Sequence, residues 1–364
     1  MLDSYRLLRP FLFALDPELA HNLTLASLDK TQQWGVLRHC ITNPAPDPRE
    51  FCGLHLPNPI GLAAGLDKDG RHIDALASLG FGFLEIGTVT PLPQPGNPKP
   101  RMFRLSEANA LINRMGFNND GVEACVQRVR QSPYWQSGGI VGLNIGKNAI
   151  TPIDQAADDY VLGMNAVYEI ASYITVNISS PNTKNLRELQ GEAMLRNLLR
   201  SLDLARKRLS DRFGVRKPLF LKIAPDLDES DIHLIADLLV EFGIDAVIAT
   251  NTTIDRSAVQ GLPASEEIGG LSGAPVKNPS NHVLKILKAR LQDELPIIGV
   301  GGILSGDDAL EKIQGGASLV QIYTGLIYRG PKLIAECAKA LKGIKPLLVA
   351  SFSLVYEGFV MNIS

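Results

Sequence analysis

Polar side chains crowd one stretch of this chain, YITVNISSPNT, from Tyr173 to Thr183. Ile174, Thr175 and Val176 are β-branched and predict a buried strand. That run ends abruptly in Asn177, Ser179, Ser180, Asn182 and Thr183, with Pro181 stopping regular pairing. So many hydrogen-bonding groups at the end of a buried strand are costly unless something beyond them is bound. In isolation the same pattern also describes a capped β-to-α turn. Lys222 is the second unusual residue, placed inward and largely dry within PLFLKIA (218–224). A buried lysine needs an anionic partner or a depressed pKa. It either stabilises negative charge developing on a reduced flavin ring or forms a Schiff base. A structural ion pair is the third reading, with Asp67 and Glu85 the only near acids.

Other stretches extend this chemistry. Asn113 opens NRMGFNN (113–119) and, with Asn177, Asn182 and Asn251, supplies four amides for one small ligand. Amides donate and accept, which suits a ring carrying adjacent C=O and N–H groups. Lys68 could take a carboxylate. Gly299, Gly301 and Gly302 in GVGGI (299–303) allow backbone N–H groups to approach an anion, and GGLSG (269–273) could add another donor. These residues imply a small, cyclic, polar and anionic ligand beside a phosphorylated cofactor.

The elements that position them follow a repeat. Apolar runs occur at 59–65, 82–88, 139–146, 173–179, 218–224, 246–251, 296–302 and 319–325. Helical patterns lie between them, for example Asp69–Leu79, Asp154–Val167, Ala193–Leu209, Ser230–Phe242, Ser280–Arg290 and Asp307–Gln314. Eight strands, each followed by a helix, predict a closed (β/α)8 barrel of the α/β class. An open doubly wound sheet would show GxGxxG directly after a strand, and no such fingerprint opens a helix here. A barrel carries its chemistry on the carboxyl rim. The strand ends there read Ala64-Gly65 with Lys68, then Thr88, Asn144, Asn177, Lys222, Thr250-Asn251, Gly301-Gly302 and Tyr323-Thr324.

Composition narrows the class. With 364 residues and 45% hydrophobic content the chain can bury a large core unaided. A net charge of −2 gives no footprint for nucleic acid. Cys40, Cys52, Cys125 and Cys337 form no CxxC pair, and the six histidines show no HExxH spacing, so no metal site is expected. No run is apolar for long enough to span a bilayer. The first residues differ from the rest: Leu2, Tyr5, Leu8, Phe11, Leu12 and Leu15 make an apolar stripe beside Arg6 and Arg9. Asp16-Pro17 then starts a second helix, with Leu19, Leu23 and Ala26 on one face and His21, Leu25 and Leu28 bordering it. These two amphipathic helices either pack onto the main body or dip into a membrane surface. The proline-rich stretch 43–57 reads as a linker, which gives a helical extension over 1–42, a barrel over 43–343 and a tail over 344–364.

In combination the motifs closely resemble the quinone-dependent (class 2) dihydroorotate dehydrogenases, flavin barrels of pyrimidine biosynthesis. The resemblance rests on AAGLDK (63–68), EIGTVTP (85–91), GNPKPR (96–101), NRMGFNN (113–119), NIGKN (144–148), VNISSPNT (176–183), LKIAPD (221–226), ATNTT (249–253), GLSG (270–273), GVGGI (299–303) and QIYTGLIYRGP (321–331). It implies FMN held by Ala64, Gly65, Leu66, Asp67, Lys68, Thr88, Asn144, Asn177, Lys222, Thr250, Gly273, Gly302, Tyr323 and Thr324. It places dihydroorotate against Lys68, Asn113, Arg114, Met115, Gly116, Phe117, Asn177, Asn182, Asn251 and Thr252. Ser180 takes the position of the catalytic base, which passes its proton onward through Thr183 and a water. His21, Arg104 and Tyr323 match positions bordering a quinone tunnel. Class 1 enzymes are similar but carry cysteine at the base position and lack the N-terminal helices, so Ser180 and residues 1–40 argue for class 2. The partners implied are dihydroorotate, a membrane quinone and, through the N-terminal helices, the cytoplasmic face of the inner membrane as a peripheral surface. A soluble class 1 enzyme using fumarate or NAD, a Schiff-base lyase and a phosphate-binding barrel without turnover are the alternatives. After about Gly343 the tail GIKPLLVASFSLVYEGFVMNIS departs from the family pattern.

Overall fold

The structure, a computed structural model, describes residues 4–36 and 41–344; Leu2, Cys40 and the tail after Ile344 lie outside the described residues. β1 (Arg49–Phe51) and β2 (Leu54–Leu56) form an antiparallel hairpin inside the stretch expected as a linker. β3 (Ile60–Leu62) and β4 (Phe83–Val89) begin the barrel. The chain then makes an excursion through β5 (Met102–Leu105) and β6 (Ala110–Asn113). It returns with β7 (Val141–Ile145), β8 (Tyr173–Asn177), β9 (Leu219–Ile223) and β10 (Ala246–Ala249). β11 (Gly270–Gly273) pairs back with β6, and β12 (Ile297–Val300) and β13 (Leu319–Ile322) complete the ring. The parallel barrel runs β3-β4-β7-β8-β9-β10-β12-β13 and closes where β13 pairs with β3, as the eight apolar runs predict. The excursion after β4 and the GLSG segment together form a three-stranded antiparallel sheet, β11-β6-β5, above the rim.

Side chains fill the lower half of the barrel. Phe83, Tyr173 and Phe220 are fully buried there, with Tyr173 stacked on Phe220 at a centroid distance of 4.6 Å. Gly61 and Gly142 make the room: a Cβ on Gly61 would stand 2.3 Å from the Phe83 ring, and one on Gly142 2.0 Å from Tyr173. The β1–β2 hairpin seals this end by inserting Phe51, edge-on to Phe220 at 5.7 Å, together with Leu56. The large polar cavity lies at the opposite, carboxyl end.

The surrounding helices keep the predicted order with shifted bounds. The expected Asp69–Leu79 helix shrinks to Ile73–Ala77 because the buried Asp67 carboxylate accepts the N–H groups of Asp69, Arg71 and His72. Those donors are then held in a loop, outside any helical ladder. The Ala193–Leu209 pattern extends to Glu192–Phe213 and stops at Gly214, which adopts the left-handed conformation.

α1 (Ser4–Phe13) and α2 (Pro17–Gln33) pack one face onto the barrel, the first of the two readings, and leave apolar side chains exposed on the other. Asp16 caps α2 by accepting Leu19 N–H at 2.9 Å. Ala20, Leu25 and Leu28 face the barrel, so the packed face includes the Leu25–Leu28 border. Leu19 and Leu23, read as the apolar face, point outward instead. Leu7, Leu8 and Phe11 are 62, 57 and 76% exposed on α1. Loss of the aromatic plug should be costly: Phe220→Ala is expected to lower the unfolding free energy by about 3–5 kcal/mol in denaturant titration.

Candidate active site

A polar layer lies directly above the aromatic plug. Glu85 on β4 is fully buried and collects donors from four other strands. Asn144 Nδ2 donates to Oε1 at 2.7 Å, and Gln321 Nε2 to Oε2 at 2.8 Å. The hydroxyls of Tyr173 and Thr175 each donate to Oε2 at 3.3 Å. Lys222 Nζ lies 3.8 Å from Oε1, so the ion pair named among the readings of this lysine exists, and its partner is Glu85. Burial lowers the Lys222 pKa and the Glu85 charge opposes that shift. Burial raises the Tyr173 pKa well above its usual value, and Glu85 adds to the effect. The other acid considered, Asp67, is committed to its loop.

From Glu85 a hydrogen-bonded chain climbs to the rim. Asn144 accepts from Thr88 Oγ1 at 2.6 Å, and Thr88 accepts from Asn177 Nδ2 at 2.9 Å. Asn177 Oδ1 accepts from Ser179 Oγ at 3.0 Å, and Asn251 Nδ2 donates to Ser179 Oγ at 3.0 Å. Ser179 is therefore a structural member of the network. Ser180 is buried but lines the cavity, and its Oγ accepts Asn182 N–H at 3.2 Å. Asn182 Nδ2 donates to Asn113 Oδ1 at 3.2 Å, while Asn182 Oδ1 and Thr183 Oγ1 are buried with no partner. Buried polar atoms left unpaired at a rim are groups for a ligand or water to satisfy.

The cavity above this layer has a volume of about 1040 Å³, part of it open to solvent. At one end it meets Gly301-Gly302 after β12 and Tyr323-Thr324 after β13, where the short helix Thr324–Arg329 begins. This is where barrels bind phosphate. Gly302 has φ +75°, and a Cβ there would lie 2.5 Å from Lys277 Cα; on Gly273 (φ +96°) one would lie 2.2 Å from the carbonyl oxygen of Asn109. At the other end are Lys68, Asn113, Met115, Gly116, Phe117, Asn182, Asn251 and Thr252. Lys68 is half-buried, and burial together with the Arg101 charge lowers its pKa to about 8, against the opposing pull of Asp69, Glu18 and Asp67. The residues suit a phosphorylated ring cofactor: a cradle that only glycine permits, a buried lysine beneath the centre, and amides with unused capacity.

A second cavity of about 790 Å³ lies between α1, α2 and the barrel, lined almost wholly by apolar side chains with His21 and Arg104 among them. Burial, then the charges of Lys68 and His72, lower the His21 pKa to about 3, so this ring is neutral. Arg104 donates to the Phe13 carbonyl at 2.8 Å and lies over the Phe13 ring at 4.3 Å. The wall between the cavities is thin: Gly65 and Gly325 line the first, and their neighbours Leu66 and Leu326 the second. Among the described residues no cluster of side chains could hold a metal ion, and no helix is long and apolar enough to cross a membrane.

A closed α/β barrel with a phosphate cradle, a buried lysine and an adjoining apolar chamber defines a cofactor-dependent barrel enzyme with two chambers. The family model for dihydroorotate dehydrogenase matches residues 48–344. A dihydroorotate dehydrogenase (quinone) of Polynucleobacter asymbioticus is 74% identical over 342 residues, 94% of this chain and 99% of the relative. Its counterpart in Janthinobacterium sp. (strain Marseille) is 61% identical over 338 residues, 93% of this chain and 98% of the relative. A crystal structure of the Eimeria tenella dihydroorotate dehydrogenase with ferulenol superposes with a TM-score of 0.81 at 37% identity, covering 90% of each chain. The chain belongs to the dihydroorotate dehydrogenase family, in its quinone-dependent class.

Most residues singled out in the sequence meet in the first cavity, but some do not. Leu66 faces the apolar chamber, Asp67 holds its own loop, and Asn144 lies one layer below, touching Thr88 and Glu85. The Arg114 guanidinium turns away, pairing with Glu267 at 2.6 Å and donating to the Pro100 carbonyl at 2.9 Å. Tyr323 lines the first cavity; His21 and Arg104 line the second. Sequence reasoning missed Ser272 and the central role of Gln321 and Glu85. Gln321 carries the signal that exposed Lys222, a polar residue inside an apolar strand, and the same rule applied evenly would have found it; Glu85 enters the sequence reading only as a candidate partner of that lysine. Gly302→Ala must push the loop after β12 away from the Lys277 backbone and should cut bound-cofactor occupancy more than tenfold, read from the absorbance of the folded, purified protein.

Proposed function

We propose that this protein oxidises (S)-dihydroorotate to orotate and passes the electrons to a membrane quinone, a step of de novo pyrimidine synthesis. The observation that carries the reading is the pairing of two chambers across one thin wall, polar and cradle-bearing on one side, apolar on the other. The cofactor is FMN, held by Ala64, Gly65, Thr88, Asn177, Lys222, Thr250, Gly273, Gly302, Tyr323 and Thr324, with Asn144 and Glu85 supporting them from below. Bound there, FMN supplies a hydride acceptor and a two-electron carrier.

The remaining chemistry belongs to the protein. Asn113, Asn177, Asn182 and Asn251, with Thr252 and the backbone at Met115–Phe117, hold the edges of the substrate ring. Lys68 receives the carboxylate. Ser180 removes the C5 proton; serine is a weak base, so it must hand that proton on, and the unpartnered Thr183 hydroxyl supports a relay through a water. The Lys222 cation, kept in place by Glu85, favours negative charge at the centre of the site. Quinone enters the chamber edged by His21 and Arg104. The exposed Leu7, Leu8, Phe11, Leu15, Leu19 and Leu23 beside that chamber suit shallow insertion into the cytoplasmic face of the membrane.

The purified protein should be yellow, lose its flavin absorbance with dihydroorotate, and regain it with a long-chain quinone. Colourless protein trapped by borohydride and a ketone would mean a lyase, and faster reoxidation by fumarate or NAD would mean the soluble class. Ser180→Ala should keep bound FMN but slow single-turnover flavin reduction by about 10²–10⁴-fold at neutral pH; an unchanged rate would remove serine from the base role. A Leu7→Ser/Phe11→Ser variant should lose co-sedimentation with lipid vesicles while reducing a soluble acceptor normally.

A further inference from the structure

The N-terminal helices also reach the substrate end of the first cavity. Glu18, in the first turn of α2, is buried and forms a paired contact with the buried Arg101 of the excursion after β4. Arg101 Nη2 donates to Glu18 Oε1 at 2.8 Å, and Nε lies 3.3 and 3.2 Å from the two carboxylate oxygens. The other arm, Nη1, donates to the carbonyls of Pro95 at 2.8 Å and Asn97 at 3.0 Å. Asn97 in turn holds the ligand loop: its Nδ2 donates to the Arg114 carbonyl at 2.8 Å and the Asn182 carbonyl at 3.3 Å, and its N–H to the Met115 carbonyl at 3.0 Å. Arg114 N–H donates to the Arg101 carbonyl at 2.9 Å. A Cβ on Gly116 would lie 2.8 Å from Asn97 Nδ2, so the loop sits hard against its support.

We infer that Glu18 and Arg101 are positioning residues for the substrate: the N-terminal extension, through this ion pair and Asn97, sets the loop 113–116 and Asn182 and balances the charge around Lys68. The inference rests on the functional reading above. Two effects follow from one contact. Mechanically, without the carboxylate the guanidinium is a buried cation lacking its counter-charge, and the loop it organises shifts. Electrostatically, Lys68 faces Arg101, Glu18, Asp67, Asp69 and His21. Arg101 disfavours its protonated form and Glu18 favours it, so loss of Glu18 removes the favourable term and leaves the unfavourable one uncompensated. Protonated Lys68 binds a carboxylate; that binding is present below its pKa of about 8 and lost as pH rises through it. Without Glu18 the loss begins at lower pH.

The test uses FMN-loaded full-length protein and orotate, whose binding is read from the perturbation of the flavin spectrum across pH. Glu18→Gln is expected to weaken orotate about tenfold at neutral pH and to move the alkaline limb of its pH profile downward, with Glu18→Asp recovering part of both. Asn97→Ala, which leaves the ion pair whole, is expected to weaken orotate about fivefold without moving that limb. It also keeps the inference testable if Glu18→Gln does not fold. Unchanged orotate affinity in the Glu18 variants, with only quinone reduction impaired, would overturn the inference, as would unchanged affinity in Asn97→Ala. Wild-type protein that shows no orotate response at all would overturn the functional reading itself.

Discussion

The site depends on a carboxylate placed where an ordinary barrel would have hydrocarbon. Glu85 is fully buried, and its two oxygens are shared among Asn144, Gln321, Tyr173, Thr175 and the nearby Lys222. A buried charge is tolerated only when paired and hydrogen-bonded, and removing one partner of such a pair costs about 3–5 kcal/mol. Five strands are thereby committed to one another at the level just beneath the cavity. Lys222 is held beside Glu85 at the centre, and Asn144, Thr88 and Asn177 are oriented in sequence above.

The same arrangement explains why only one end of the barrel is chemical. Below Glu85 the three rings of Phe83, Tyr173 and Phe220, closed off by Phe51 and Leu56, leave no space for a ligand. Above it, the strands end in amides, hydroxyls and glycine, and the cavity follows from the mismatch between a full lower half and small or polar upper positions. The β11-β6-β5 sheet then covers part of this opening and contributes Asn113, Ser272 and Gly273 to its lining. The helices α1 and α2 add the second chamber, with their inner face against the barrel and an outer face of uncovered leucines and Phe11. One short extension thus walls the apolar chamber and reaches the loop held by Asn97 through the buried Glu18–Arg101 ion pair.

Much of this was legible in the residues alone. The eight apolar runs, their regular spacing and the polar ends of the strands determined the barrel and its rim, because alternation of strand and helix leaves a parallel sheet few ways to bury both faces. Lys222 announced itself as a cation in an apolar strand, and the glycines of GVGGI as a cradle. Local patterns also erred where side chains overrode them. Asp67 drew backbone donors out of an expected helix, a proline-rich linker proved to be the hairpin that stoppers the barrel, and the apparent apolar face of α2 turned outward.

What tertiary structure alone decided is which of these groups touch. Spacing along a chain cannot show that Glu18 meets Arg101 across 83 residues, or that Gln321 reaches Glu85 across 236. Nor can it show that Arg114, inside the NRMGFNN motif, turns away from the cavity while its carbonyl is gripped by Asn97. The sequence determined the chemistry available, since strand period and residue type set what each rim position carries. The fold decided the partners, because hydrogen bonds and ion pairs act over a few ångströms, and only closure of the barrel brings distant strand ends within that range.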